Sequence, residues 1–140
     1  MKKILLIILI IALVSVGVIY SFAADKPTSG KVIVYYFHGN FRCPTCYKLE
    51  TYSKEAIEAN FKNELASGKI VFNVINTDEK GNEHFVNDYQ LYTKSLVISL
   101  IENGKEVKSK NLTKIWDYVG NKQKFFEYVT SEINGFLKGS

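Results

Sequence analysis

Val32-Ile33-Val34-Tyr35-Tyr36-Phe37 runs into His38-Gly39-Asn40-Phe41-Arg42 and then Cys43-Pro44-Thr45-Cys46, and these fifteen residues decide how the chain is read. The opening six are apolar or aromatic, rich in β-formers and without polar alternation, as expected of a strand buried on both faces. The loop from His38 to Arg42 separates that strand from the only two cysteines in the chain. From Pro44 to about residue 66 the residues Cys46, Leu49, Ser53, Ile57 and Phe61 recur at helical spacing, and Ser67-Gly68 supplies a stop. A Cys-x-x-Cys pair at a strand-to-helix junction is where a redox dithiol belongs.

Upstream of this stretch, Lys2 and Lys3 precede an uncharged run over residues 4–24, densest in apolar residues over 4–14. A positive start followed by an apolar run is the pattern of an export signal. Ser21-Phe22-Ala23 offers small residues for a cut after Ala23. The run is also about as long as the ~20 residues that span a bilayer. Residues 1–24 are therefore expected to be a cleaved signal peptide or an N-terminal membrane anchor. Either way the flanking lysines stay inside and the remainder is exported, to the periplasm or cell surface. Residues 25–31, with Pro27, Ser29 and Gly30, read as a linker, and residues 32–138 as one domain.

Without Lys2 and Lys3 the exported part holds 16 cations against 14 carboxylates, a net charge of +2. That is no footprint for nucleic acid. Export also changes the meaning of the cysteines, because disulfides persist outside the cytosol. A pair three residues apart closes a very short loop and restricts the unfolded chain little. The spacing makes more sense as chemistry than as a staple.

Downstream, residues 70–75 form a second β-branched strand candidate and 76–81 a turn. Residues 83 to about 91 read as a helix with Phe85, Val86 and Tyr89 on one side. Residues 96–101 form a third apolar strand. Asn103-Gly104 is a strong hairpin signal, with 106–110 as a polar return strand on an edge. Residues 112–119 suggest a helical turn packed through Ile115, Trp116 and Val119. Asn121 is placed to cap a last helix reaching about residue 137, with Phe125, Val129, Ile133 and Phe136 as its apolar stripe. The order is β-α-β-α-β-β-α, an α/β fold with a central sheet covered by helices on both faces. Two crossovers are expected to give parallel strands and the hairpin an antiparallel edge.

This order, with Cys-x-x-Cys at the first strand-to-helix junction, resembles the thioredoxin superfamily across about residues 31–138. More narrowly, Tyr35-Tyr36-Phe37-His38-Gly39 with Arg42-Cys43 and Thr45-Cys46 resembles a small family of exported thioredoxin-like proteins identified as nitrophenyl compound nitroreductase subunits. No flavin or nicotinamide signature is visible in the sequence, and no cofactor is expected. Two departures from the superfamily pattern stand out. It usually places a cis-proline just before the third strand, facing the dithiol. The matching stretch here is Thr93-Lys94-Ser95-Leu96, and Pro27 and Pro44 are the only prolines. Phe37 stands where the thioredoxin subfamily has a buried aspartate.

Cys43 is expected at the helix N-terminus, where unpaired backbone N–H groups and the dipole favour a thiolate. Arg42 beside it acts in the same direction, and Pro44 suits the first turn. Cys43 is thus the expected nucleophile and Cys46 the resolving thiol. His38, just past the strand, is a candidate for proton transfer, and Thr93 and Ser95 are candidates to face the substrate. His84 reads as a surface residue.

The expected activity is extracytoplasmic thiol–disulfide exchange on a protein or small-molecule disulfide. A membrane-embedded or exported partner would supply or accept electrons, and residues 4–24 would contact the membrane if uncleaved. The rival reading is a non-enzymatic thioredoxin-like module that docks on a partner and keeps a static disulfide. A third is a thiolate copper(I) site at Cys43 and Cys46, with His38 nearby. No metal site is otherwise expected, because a closed zinc site wants four ligands.

Overall fold

The computed structural model describes residues 30–139. The expected signal or anchor over 1–24 and the linker up to residue 29 lie outside these residues. Strand β1 is Lys31–His38, one residue longer at each end than the apolar run. Helix α1 (Pro44–Asn60) and the short α2 (Lys62–Ala66) follow, then β2 (Ile70–Asn76), α3 (His84–Asp88), β3 (Ser95–Glu102), β4 (Lys105–Asn111), α4 (Ile115–Tyr118) and α5 (Lys122–Leu137). None of the described helices is long and apolar enough to cross a membrane.

The sheet order is β2-β1-β3-β4. β1 and β2 are parallel, β1 and β3 antiparallel, and β3 and β4 antiparallel. The direction of β3 corrects the expectation of a second parallel crossover. Its cause is the connection. The 18-residue connection doubles back on itself through turn bonds, Glu79 N–H to the Asn76 carbonyl, Asn82 N–H to the Glu79 carbonyl and Leu91 N–H to the Val86 carbonyl, around the five-residue α3. The chain leaving β2 therefore stays at one end of the sheet, and β3 starts there, with Ser95 opposite Phe37.

The helix expected from Pro44 to about residue 66 is likewise two helices. At Phe61 (φ −132°, ψ 38°) the backbone leaves the helical region, while the ring is 3% exposed in the core. Asn60 Nδ2 donates to the Ala56 carbonyl at 2.8 Å, a local bond that competes with helix continuation. α3 is also shorter than expected. Phe85 and Tyr89 pack inward, but Val86 is exposed.

One face of the sheet carries the main core. Val32, Val34, Tyr36, Leu96, Ile98 and Leu100 meet Leu49, Ala56 and Ile57 of α1 and Phe125, Val129, Ile133 and Phe136 of α5. That stripe on α5 is the one its periodicity predicts, and Asn121 Oδ1 accepts from the Lys124 N–H at 3.1 Å as its cap. The opposite face holds a smaller cluster of Phe37, Leu91 and Val97 against Tyr35, Ile75, Phe85 and Tyr89, covered by α3. The hairpin turns at Asn103 (φ 51°) and Gly104 (φ 75°), the two left-handed residues that a tight two-residue turn requires.

Candidate active site

Helix α1 starts where β1 delivers it, and Cys43 is its N-cap, with extended backbone (φ −88°, ψ 164°). The Cys43 carbonyl accepts from the N–H groups of Cys46 (2.9 Å) and Tyr47 (3.2 Å), so the helix begins at the first cysteine. Its Sγ accepts from the Cys46 N–H at 3.2 Å, a donor placed to stabilise a sulfur anion. Pro44 occupies the first turn without losing a bond, and that turn holds no acidic residue. The two cysteines are joined as a disulfide with Cα atoms 5.0 Å apart. Cys43 is partly exposed, while Cys46 is 2% exposed.

Cys46 sits under Tyr36. The tyrosine is wholly buried on the core face of β1, and its hydroxyl donates to the Cys46 carbonyl at 2.6 Å. Burial pushes the Tyr36 hydroxyl up to about 12, opposed by the nearby Arg42 cation. Sequence reading assigns Tyr36 to the core alone. The available signal was the choice of Tyr over Phe at a buried strand position, because a buried hydroxyl has to find a partner.

Arg42 folds back along α1. Its guanidinium forms an ion pair with Glu50 and lies 4.1 Å from the centroid of the Tyr47 ring. Its charge is thus shared with a carboxylate rather than aimed at the sulfur alone. The donor that the structure places on Cys43 Sγ is the backbone N–H of Cys46.

His38 is half-buried, and its Nδ1 meets the Gly39 carbonyl at 2.9 Å. It lines a cleft of about 160 Å³ together with Gly39, Thr77, Tyr92, Thr93 and Lys94, and neither cysteine is among the lining residues. The structure therefore groups His38 with Thr93. Thr93 is exposed. Ser95 is 4% exposed, and its hydroxyl donates to the Thr93 carbonyl at 2.9 Å and accepts from Asn111 Nδ2 at 3.4 Å. The Ser95 side chain is thus engaged inside the protein. No cis peptide bond occurs among the described residues, so the stretch before β3 is trans as well as proline-free.

The loop before Cys43 is clamped from β2 and its following turn. Asp78 Oδ2 accepts from the Asn40 N–H at 2.7 Å, and Asn76 Nδ2 donates to Asn40 Oδ1 at 2.8 Å. A Cβ at position 39 would meet Asp78 Oδ2 at 2.7 Å, so a larger residue there would have to displace the carboxylate that accepts from the Asn40 N–H. Phe41, Tyr47 and Tyr92 are exposed, and Lys94 Nζ lies 5.7 Å from the Phe41 ring, so the 92–94 loop sits beside the approach to Cys43. The described residues hold no group of three or more His, Cys, Asp or Glu side chains able to hold a metal ion, so His38 does not join the cysteines in such a set.

No protein-family model matches the chain, and no curated protein matches it. Among solved structures, the germline-specific thioredoxin Deadhead of Drosophila melanogaster is 19% identical, with 67% of this chain and 80% of that chain covered and a TM-score of 0.41. The Schistosoma mansoni thioredoxin pre-protein is 18% identical, covering 70% and 82%, also at 0.41. Thioredoxin O2 of Arabidopsis thaliana is 10% identical, covering 69% and 76%, again at 0.41. A mixed four-stranded sheet in the order β2-β1-β3-β4, helices on both faces and a Cys-x-x-Cys disulfide where the first strand passes into a helix together make the fold thioredoxin-like.

Proposed function

We propose that this protein is an exported thiol–disulfide oxidoreductase. The observation that carries the reading is the asymmetry of the pair. Cys43 is reachable and has an N–H donor on its sulfur, while Cys46 is buried one helical turn away. The reduced protein would attack a substrate disulfide through the Cys43 thiolate. One substrate sulfur leaves as a thiolate, and a mixed disulfide forms. Cys46, deprotonated, then attacks Cys43 Sγ, releasing the second substrate thiol and closing Cys43–Cys46. Two electrons pass to the substrate, and a thiol-bearing partner has to return them for turnover. In the oxidising direction each step runs in reverse. The exposed rings of Phe41, Tyr47 and Tyr92 suit a partly apolar peptide around the disulfide.

Export rests on Lys2 and Lys3 ahead of the apolar run over residues 4–24. The electron partner is then a membrane-embedded or exported thiol protein. The resemblance to nitrophenyl compound nitroreductase subunits enters only as a likeness to exported proteins with this motif. The trans, proline-free stretch at Thr93-Lys94-Ser95 favours the second reading, a docking module with a static disulfide.

One titration separates the two. Equilibrated in graded thiol buffers, the Cys43/Cys46 pair is expected to show a reversible two-electron midpoint between ~−270 and ~−120 mV. Cys43→Ser abolishes exchange. Cys46→Ser accumulates a mixed disulfide visible by mass. A pair that stays oxidised below ~−300 mV fits the static disulfide and refutes the exchange reading.

A further inference from the structure

The two edges of the sheet are built differently. β4 carries Lys105, Glu106, Lys108 and Lys110, all exposed, and its pairing with β3 shifts register between Leu100 and Ile101. Charge and irregularity of this kind block edge-to-edge association. β2 forms the other edge with Ile70-Val71-Phe72-Asn73-Val74-Ile75-Asn76, a strand with no charge and no proline, in unbroken register with β1. Among the described residues it pairs with β1 alone.

Its ladder with β1 fixes which backbone groups face away from the sheet. The Val32 N–H donates to the Lys69 carbonyl, and the Thr77 N–H donates to the His38 carbonyl. Odd-numbered positions of β2 therefore turn their backbone groups toward β1. Because those groups alternate along a strand, Ile70, Phe72 and Val74 turn theirs outward. Val74 is 41% exposed. Beside it lies a groove lined by Phe72, Val74, Ile57 and Leu65, with Glu50, Lys54 and Glu58 of α1 also on its wall.

We propose that this edge is the interface of a two-fold homodimer, with β2 of one copy antiparallel to β2 of the other. Symmetry and the pleat demand that outward-turned residues oppose outward-turned residues on the same face. A register centred on Asn73 satisfies this. Phe72 of each copy opposes Val74 of the other beside the apolar groove, as a hydrogen-bonded pair. On the opposite face Val71 opposes Ile75, and Asn73 meets its own counterpart, two carboxamides able to bond each other. The strand is thus complementary to itself. The charged residues on the groove wall are paired within each chain, Glu50 with Arg42 and Glu58 with Lys54. The result is a continuous eight-stranded sheet with the β4 strands outermost, in which antiparallel pairing sends the two dithiols, each just past the end of β1, to opposite strand ends.

The test is the mass of the full-length chain in density-matched detergent by sedimentation equilibrium, for wild type, Val74→Lys, Asn73→Asp and, as control, Val107→Lys on β4. Wild type and Val107→Lys are expected to be dimers. Val74→Lys and Asn73→Asp are expected to show a twofold lower mass at neutral pH with unchanged far-ultraviolet circular dichroism. Asn73→Asp, which sets two carboxylates against each other at a partly exposed position, guards against Val74→Lys failing to fold, and it should dimerise again in acid. A monomeric wild type overturns the proposal. So does a dimer that survives both substitutions, which would place the contact elsewhere, including residues 4–24. Protection of the Phe72 and Val74 amides from exchange in a monomer overturns it too, because the chain would then cover its own edge.

Discussion

The two faces of the sheet meet neighbours of very different size. On one, Val32, Val34 and Tyr36 of β1 lie under a 17-residue helix and a 16-residue helix, and every core side chain there is almost wholly buried. On the other, Phe37 and Val97 lie under a five-residue helix, and most of the aromatic rings around them are only partly buried. The sheet is therefore stabilised mainly from one side, and the dithiol sits on that side, because α1 is both its carrier and half of the main core. The thinner face is held by rings at 5.2–6.2 Å between Tyr35, Phe37, Phe85 and Tyr89, and by the Tyr89 and Ser99 hydroxyls that donate to Glu106 at 2.5 Å.

The largest expected effect breaks the thick face. Phe125→Ala removes a fully buried ring between α1 and α5 and is expected to cost ~3–5 kcal/mol, read as a lower urea midpoint. Phe85→Ala on the thin face is expected to cost less, ~1–2 kcal/mol, because that ring is only partly buried. Equal losses would show that the two faces contribute alike.

Next comes Tyr36→Phe, which keeps the packing but removes the bond to the Cys46 carbonyl. It is expected to cost about 1 kcal/mol. A shift of the redox midpoint, with Cys43 exchange retained, would show that the tyrosine positions the first turn of α1 as well as filling the core.

A separate effect is confined to alkali. Tyr36 is raised from 10.0 to about 12, chiefly by burial, and Tyr35, Tyr89 and Tyr128 are raised as well. A raised pKa means that the folded state holds the proton more tightly. The associated stability is therefore complete below pH ~10 and is lost as pH climbs toward ~12. The urea midpoint should fall over that window, and the Tyr36→Phe protein should lose less across it. Identical pH slopes would remove Tyr36 as a contributor.

Much of this was legible in the sequence because it follows from short-range pattern. The unalternating run before His38, the stripe Phe125, Val129, Ile133 and Phe136, the Asn103-Gly104 turn and the Asn121 cap each depend on neighbours a few residues away. What escaped depends on the size or path of something distant. The direction of β3 follows from a connection that doubles back around α3, and the break at Phe61 from a ring drawn into the core against helical continuation. At the site, the dithiol and its N-cap position were readable. The pairing of Arg42 with Glu50 was not, because it requires the residue before the cap to fold back over two helical turns. Nor was the inward engagement of Ser95, which depends on Asn111 across the hairpin.

β1 enters the sheet at Lys31 and releases the chain to the dithiol beyond His38, so the whole strand separates the point of attachment from the chemistry. At ~3.3 Å per residue that is ~25 Å, two to three times the ~8–10 Å over which physiological salt screens a charge. Lys31 itself, at the far end of the strand, is thus too distant for its charge to tune the Cys43 thiolate. The groups able to tune the pair are those the fold sets within one screening length of Cys43, the Cys46 N–H foremost among them.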